Sequence, residues 1–363
     1  MTENSTKKWQ DGAREETDKI SKILYDLGFS LDEVQPHISG ERFLMTKNKL
    51  VLVGKRNSDN SRVIIKSSDN PDGQREITNE KKARDILQTL SFTQETILFP
   101  KEIFFDKKDD YLFWMSEFIE QKKVFVEYSL EEQFFLILKA LESQEAFHAT
   151  TFEHLKSISS VFPTFYGREY FKEFEIFKES FAQNYPNPKI QKTLESALQI
   201  IKEHKKEIDT FCGYLAHTDF VPHNFRIKNR DIYMLDCSAV QFGNKYEGWA
   251  RFLNYMVIHN PPLEKILVQY IKENRDSADY INLRLMRIYK IGFLLQYYSL
   301  SINKTSGNLK KLTEERINFW HQVLKSIVDN NQTDPKLIED YKKERDQLRS
   351  VEEKERQREF AVA

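Results

Sequence analysis

The sequence holds little cysteine and little glycine. Two cysteines in 363 residues, Cys212 and Cys237, make neither a disulfide framework nor a CxxC metal motif, and a reducing, cytoplasmic setting is the expectation. Eleven glycines are about 3% of the chain, where ~7% is ordinary, which argues against a function built on a glycine-rich phosphate loop. No stretch approaches ~18 uninterrupted apolar residues, and the N-terminal MTENSTKKWQDGAREETDK lacks the apolar core of a secretory signal. Membrane association is therefore not expected. Charge of one sign is lacking too: 55 Lys+Arg against 56 Asp+Glu leave a net −1, so no global electrostatic grip on nucleic acid is expected. What remains is ample. Hydrophobic residues are 40% of the chain and can fill a real core.

The apolar spacing changes character along the chain. Ile20, Ile23, Leu24 and Leu27 share one face of a helix within 9–27. Residues 42–67 carry three short apolar runs, RFLM, LVLVG and RVIIK, separated by polar turns, which predict an antiparallel meander ended by Pro71-Asp72-Gly73. A helical stripe follows (Ile77, Ala83, Ile86, Leu87, Leu90). Two more strands, KEIFF and YLFWM, are joined by DKKDD. Beyond residue 118 the pattern turns helical over 129–150, 164–183, 188–209, 246–258, 263–274, 277–302 and 309–329. One β-like interruption, NFRI–KNRD–IYML, lies within 211–240. The expected division is an N-terminal helical extension (1–34), a small sheet-rich lobe (35–118), a larger helical lobe (119–332) and a charged C-terminal helix (333–363) opened by Pro335.

The interruption carries the chemistry. His217-Thr218-Asp219-Phe220-Val221-Pro222-His223-Asn224 is followed twelve residues later by Asp236. Phosphoryl transfer needs an oriented acceptor oxygen, a carboxylate for its proton and a divalent cation held by hard oxygens. Asp219 and Asn224, five apart on one tight loop, can aim a carboxylate at an acceptor and an amide oxygen at a metal. The hairpin then returns Asp236 to the side of Asn224.

HxDxxxxN followed by a short hairpin and a strand-end Asp resembles the aminoglycoside phosphotransferase/choline kinase-like group of the protein-kinase-like fold, over roughly residues 35–300. The resemblance implies an α+β bilobal architecture, with an antiparallel-sheet N-lobe and a mainly helical C-lobe. It implies transfer of the ATP γ-phosphate to a hydroxyl of a small molecule that is aminoglycoside-, choline- or sugar-like. Asp219 would be the base, Asn224 and Asp236 the Mg2+ ligands, and His217 the brace of the loop. Lys66, ending RVIIK, matches the lysine on the α- and β-phosphates, with Glu80 as its partner and Glu76 in reserve. Glu117 and Phe118 resemble the hinge against adenine, and Thr46-Lys47-Asn48-Lys49 the covering turn. The chain departs from the family at His223, where glycine is usual, and at Gly248, where an Asp commonly supports the catalytic loop. Glu247 and Asn244 are the candidates for that support. A catalytically inactive binding module is the alternative reading.

Other residues read as structural. They are His148 at a helix end, the two cysteines as small apolar side chains, Lys122, Lys123, Arg284 and Arg287 as solvated or phosphate-facing edges, and the Phe293, Tyr297, Tyr298 stripe as core.

Overall fold

Ile20 and Leu24, fully buried, seat the first helix, α1 (Glu3–Asp26), on one face of a five-stranded antiparallel sheet. The computed structural model describes residues 3–33, 35, 49–89, 98–149, 152–350 and 354. Among them the sheet runs in the order β1-β2-β3-β5-β4. Its strands are β1 (Phe29–Leu31), β2 (Leu50–Arg56), β3 (Arg62–Ser68), β4 (Glu102–Lys108) and β5 (Tyr111–Glu117). Alternation along β3 does the positioning: Val63 and Ile65 point into the α1 side, so Lys66 points to the opposite side. There α2 (Pro71–Thr89) packs through Ile77 against Leu112 and Trp114.

Four expected strands and the sheet-side helix thus lie where the apolar runs place them. The RFLM run lies outside the described residues, as do Thr46, Lys47 and Asn48 of the covering turn and, Lys354 apart, the end beyond Ser350. Among the described residues the sheet also takes β1, which pairs with β2 from Phe29↔Arg56 to Leu31↔Gly54. Three residues are too few to show an alternation. The chain reaches β1 because Gly28 adopts φ +84, a left-handed turn off α1 that glycine tolerates.

The second lobe is a helical body of α3 (Leu130–Glu145), α4 (Phe152–Ser159), α5 (Gly167–Asn184), α6 (Pro188–Glu203) and α7 (Lys205–Asp209). It continues with α8 (Glu247–His259), α9 (Pro261–Asn274), α10 (Ser277–Ile302), α11 (Gly307–Val328) and α12 (Pro335–Leu348). Capping explains several boundaries. Ser129 and Glu132 close a reciprocal capping box on α3, Asn260 accepts from Leu263 N–H ahead of Pro261, and Asp334 accepts from Lys336 N–H ahead of Pro335. The stretch expected as one helix over 188–209 breaks at His204 (φ −103, ψ 20), whose ring nitrogen bonds the Ile200 carbonyl.

Between the helices lie two small sheets, β6 (Tyr214–His217) with β9 (Val240–Gly243), and β7 (Phe225–Lys228) with β8 (Asp231–Met234). The β7–β8 turn has Asn229 and Arg230 both at positive φ, the twist that matches a two-residue hairpin. A cluster of Ala83 and Leu87 with Leu215, Met234, Cys237 and Phe242 joins α2 to these sheets, and so couples the two lobes at the cleft. Among the described residues no helix is long and apolar enough to cross a membrane.

Candidate active site

The loop between β6 and β7 is fixed from three sides. Thr218 donates its N–H and its hydroxyl to the Ala239 carbonyl, at 2.7 and 3.0 Å. Asp219 N–H donates to His217 Nδ1 at 3.3 Å. The buried His217 backbone N–H donates to Gln144 Oε1 at 3.1 Å. Burial holds the His217 imidazole below its ordinary pKa, so the ring is a neutral acceptor at this brace.

Asn224 orders the loop internally. Its Nδ2 donates to the Asp219 carbonyl and to Asp219 Oδ2, both at 2.8 Å, which leaves the amide oxygen for another partner. Leu235 N–H donates to the Asn224 carbonyl at 3.1 Å and so sets Asp236 beside Asn224. Asp236 Oδ1 accepts from the Ser238 N–H (3.0 Å) and hydroxyl (2.5 Å). Burial opposes the charge on Asp236, but Lys66 and the Ser238 bonds outweigh it and hold the carboxyl below its usual range.

Across the cleft Lys66 Nζ donates to Glu80, whose side chain is wholly buried. Lys49 lies 3.7 Å from both Glu80 and Glu76, so Glu76 serves Lys49 rather than Lys66. Burial works against the Lys66 ammonium, but Glu80 and then Asp236 raise its pKa above the ordinary value. The two lobes thus face each other through Lys66, Glu80 and Asp236.

Two features were not foreseen. Arg251 Nε pairs with Asp219 Oδ1 at 2.8 Å. Burial pushes the Asp219 carboxyl up, yet the Arg251 guanidinium holds it below the carboxylate range. Loop support comes from neither Glu247 nor Asn244. Glu247 is buried among Tyr170 (2.6 Å), Gln241 (2.5 Å) and Lys290 (3.0 Å), and Asn244 binds Ile208 and Asn282. Gln144 supplies it, in the space an Asp would need: a Cβ on Gly248 would sit 2.9 Å from Gln144 Oε1. A signal for Arg251 was present. Glu247, Arg251, Tyr255 and His259 recur every four residues as a polar stripe along a helix whose other residues, Asn254 apart, are apolar or glycine.

At the end of β5, Glu117 pairs with Lys228 at 3.2 Å, and the Phe118 N–H is donated to the Arg62 carbonyl at 3.2 Å. That N–H is committed to the sheet, while the Arg62 guanidinium lies 3.9 Å over the Phe118 ring. The residues read as structural have structural partners. His148 stacks on Tyr214 at 3.9 Å, Arg284 caps the Ile327 and Val328 carbonyls, and Arg287 pairs with Glu264 at 2.6 Å. Lys123 lies 4.5 Å over the Tyr128 ring. The stripe expected as core is not: Phe293, edgewise on Phe177, is 44% exposed, and Tyr297 and Tyr298 are half-buried, because this face of α10 is left uncovered there. Burial pushes both thiols up, which makes them unreactive.

The donor set fits Mg2+. Asn224 and Asp236 offer hard oxygens, and Mg2+ is ordinarily held by one or two carboxylates plus substrate phosphates.

No family model matches the chain, and no curated protein matches its sequence. Solved structures do. The GDP complex of aminoglycoside 2'-phosphotransferase-IIIa superposes with a TM-score of 0.58 at 13% identity, covering 88% of this chain and 99% of that one. A ligand-free thermostable mutant of aminoglycoside phosphotransferase APH(4)-Ia gives 0.57 at 13%, covering 85% and 98%. The streptomycin–ATP complex of APH(2")-IIa gives 0.53 at 9%, covering 86% and 97%. At such identity the likeness shows the fold, which is the bilobal α+β protein-kinase-like one.

Proposed function

From that fold, we propose that the chain is an ATP-dependent phosphotransferase acting on a hydroxyl of a small molecule. One observation carries the reading: a single loop and hairpin set an ionised Asp219, an Asn224 turned to present its amide oxygen, and Asp236 opposite the Lys66–Glu80 pair. The similar structures hold GDP in one case and ATP with streptomycin in another, which supports a nucleotide and a small acceptor as partners.

In the reaction, the acceptor hydroxyl oxygen forms a bond to the γ-phosphorus as the bond from that phosphorus to the β–γ bridging oxygen breaks, releasing ADP. The hydroxyl proton passes to Asp219 and then to solvent. With its pKa held down by Arg251, Asp219 is a weak base. Its work is orienting the hydroxyl and taking the proton late, which suits a loose transition state. Lys66, kept charged and aimed by Glu80, neutralises the α- and β-phosphates. Asn224 and Asp236 would hold Mg2+, which when bound supplies charge neutralisation on the phosphate oxygens. Glu117 and the strand end carrying Phe118 would border the adenine through side chain and carbonyls, since the Phe118 N–H is already used.

Thermal-shift titration tests the nucleotide site. A ligand at 100 times its Kd stabilises the folded state by about 2.7 kcal/mol, so a Mg-ATP or Mg-GTP shift that vanishes in D236N is the expected result. D219N should keep that shift and lose turnover by about 10²–10⁴-fold, as loss of a general base does. No shift with either nucleotide would favour the inactive binding module.

A further inference from the structure

Leu50 and Leu52 of β2 are buried in the cluster that holds Ile20 of α1, so the alternate positions Lys49 and Val51 face the cleft side of the sheet. Val51 is directly opposite Lys66 on β3, which sets Lys49 two residues further along the same face. Glu80 joins the two lysines. Its Oε1 accepts from Lys66 Nζ, and its Oε2 lies 3.7 Å from Lys49 Nζ. Lys49 Nζ is also 3.7 Å from Glu76 Oε2. One wholly buried carboxylate therefore faces two ammonium groups whose own side chains are largely buried.

The two are held differently. Lys66 is hydrogen-bonded to Glu80, whereas Lys49 is beyond hydrogen-bond reach of either of its carboxylates. Glu80 Oε2 is buried and has no hydrogen-bond partner among the described residues, although buried polar atoms are ordinarily satisfied. Lys49 is thus a cation placed in the cleft by attraction alone, and it can move to a stronger anion without breaking a hydrogen bond to Glu76 or Glu80. The covering segment has a need for it. From Glu41 to Val53 the sequence has no glycine, the residue that lets backbone N–H groups close on a phosphate. Gly54 serves another purpose: a Cβ there would lie 2.5 Å from the Ser30 carbonyl of β1.

Direction along the sheet decides which phosphate Lys49 meets. Strand β3 runs from Val63, opposite Glu117 at the strand end proposed to border the adenine, through Lys66 to Ser67, opposite Leu50. Counted from the adenine end, Lys49 lies beyond Lys66. We propose that Lys49 is a second phosphate-binding cation, which leaves Glu76 and Glu80 to hold the terminal phosphoryl group of the nucleotide while Lys66 stays on the inner two phosphates. The inference rests on the phosphotransferase reading of this cleft and adds to it the residue that distinguishes a triphosphate from a diphosphate. An ammonium on a flexible four-carbon stem suits a point contact that forms and breaks in each turnover. It supplies from a side chain the neutralisation that a glycine-rich loop supplies from its backbone. Once the phosphoryl group has left, Lys49 returns to its two carboxylates, and the diphosphate is held without it.

The test is calorimetric titration of the full chain with three magnesium nucleotides that differ only in phosphate number: the non-hydrolysable triphosphate AMP-PNP, ADP and AMP, with the guanine series alongside. K49M keeps the apolar stem and removes the charge, and near-UV circular dichroism checks that it is folded. It should weaken the triphosphate tenfold or more, change the diphosphate less than threefold and leave the monophosphate as in wild type. K49R, which restores the charge, should recover most of the triphosphate affinity. K66M is the contrast, since it should weaken triphosphate and diphosphate alike. A K49M protein that binds the triphosphate as wild type does, or that loses all three nucleotides equally as a merely distorted cleft would, overturns the assignment of Lys49 and leaves the phosphotransferase reading standing. Wild type that binds none of the nucleotides in either series overturns that reading, and this inference with it.

Discussion

Gln144 does at residue scale what a helix-opening carboxylate does in the family the loop resembles. It accepts the His217 N–H from the end of α3, and its side chain occupies the volume beside Gly248. Replacing it by alanine leaves a buried N–H unsatisfied, at a cost of about 1–3 kcal/mol. G248D alone should also destabilise, because the new Cβ would meet Gln144 Oε1 at 2.9 Å. Combined, Q144A and G248D give the Asp both the room and the N–H to accept. Urea unfolding should therefore show a double mutant at least ~1 kcal/mol more stable than the sum of the two losses. Strict additivity would mean that the two side chains do not share that space. The sequence made Asp219, Asn224 and Asp236 legible because their spacing is local. Gln144 was not, since it arrives from 73 residues upstream through a single backbone bond. Arg251 lay between these cases, visible only as a polar step in an apolar helix.

At the scale of elements, α12 is the piece whose role composition hid. Its charged surface reads as a solvated helix packed at one edge by a thin stripe with Leu337 and Tyr341, and the edge is firmer than that stripe suggests: Tyr341 is buried and stacked on Phe319 of α11 at 4.2 Å, and Ile338 is buried beside it. Y341A should cost about 3–5 kcal/mol at that contact and loosen α12 from α11. Limited proteolysis should then cut near Lys342 and Lys343 faster than in wild type, while the Mg-nucleotide shift persists, because the residues proposed to hold the nucleotide sit on β3, α2 and the β6–β7 loop. Equal cleavage rates would show α12 to be held by other contacts. Helices with strong apolar periodicity, α8 to α11 above all, were readable to within a few residues. The strands β6 and β9 were not. Each is four residues long, and the two pair across more than 20 intervening residues, so neither alternation nor a turn signal marks them. Strand β1 is shorter still and exists because β2 offers it an edge.

Over the whole molecule the net charge is −1, so general charge repulsion has little leverage near neutrality and individual buried groups set the pH response. Burial holds His148, His217 and His321 below their ordinary pKa, and His259 is held down to about 2 by burial reinforced by Arg345 and Arg349. Above about pH 6.5 these rings are neutral in both the folded and the unfolded chain and contribute nothing. Below it the unfolded chain takes up protons that the fold refuses, and stability falls with each step down, by at most about 1.4 kcal/mol per pH unit per histidine. Glu145, pushed up by burial, has the opposite sense: the fold takes up its proton before the unfolded chain does. Asp219 and Asp236, held low, give stabilisation that is complete above about pH 4 and is lost only as pH falls through their depressed values. Carboxyls raised by burial (Glu16, Glu145 and Glu315) titrate alike in wild type and in a histidine variant, so the difference between the two curves from pH 6.5 to 5 isolates the histidine. H259F keeps the ring stacked on Tyr255 and removes one of the protons. Urea unfolding across that window should show its slope of stability against pH flatter than wild type by up to one proton, with the two curves diverging from a common offset above pH 7. Parallel curves would mean that His259 charges within the folded protein, and that the arginines around it are screened rather than concentrated on that face.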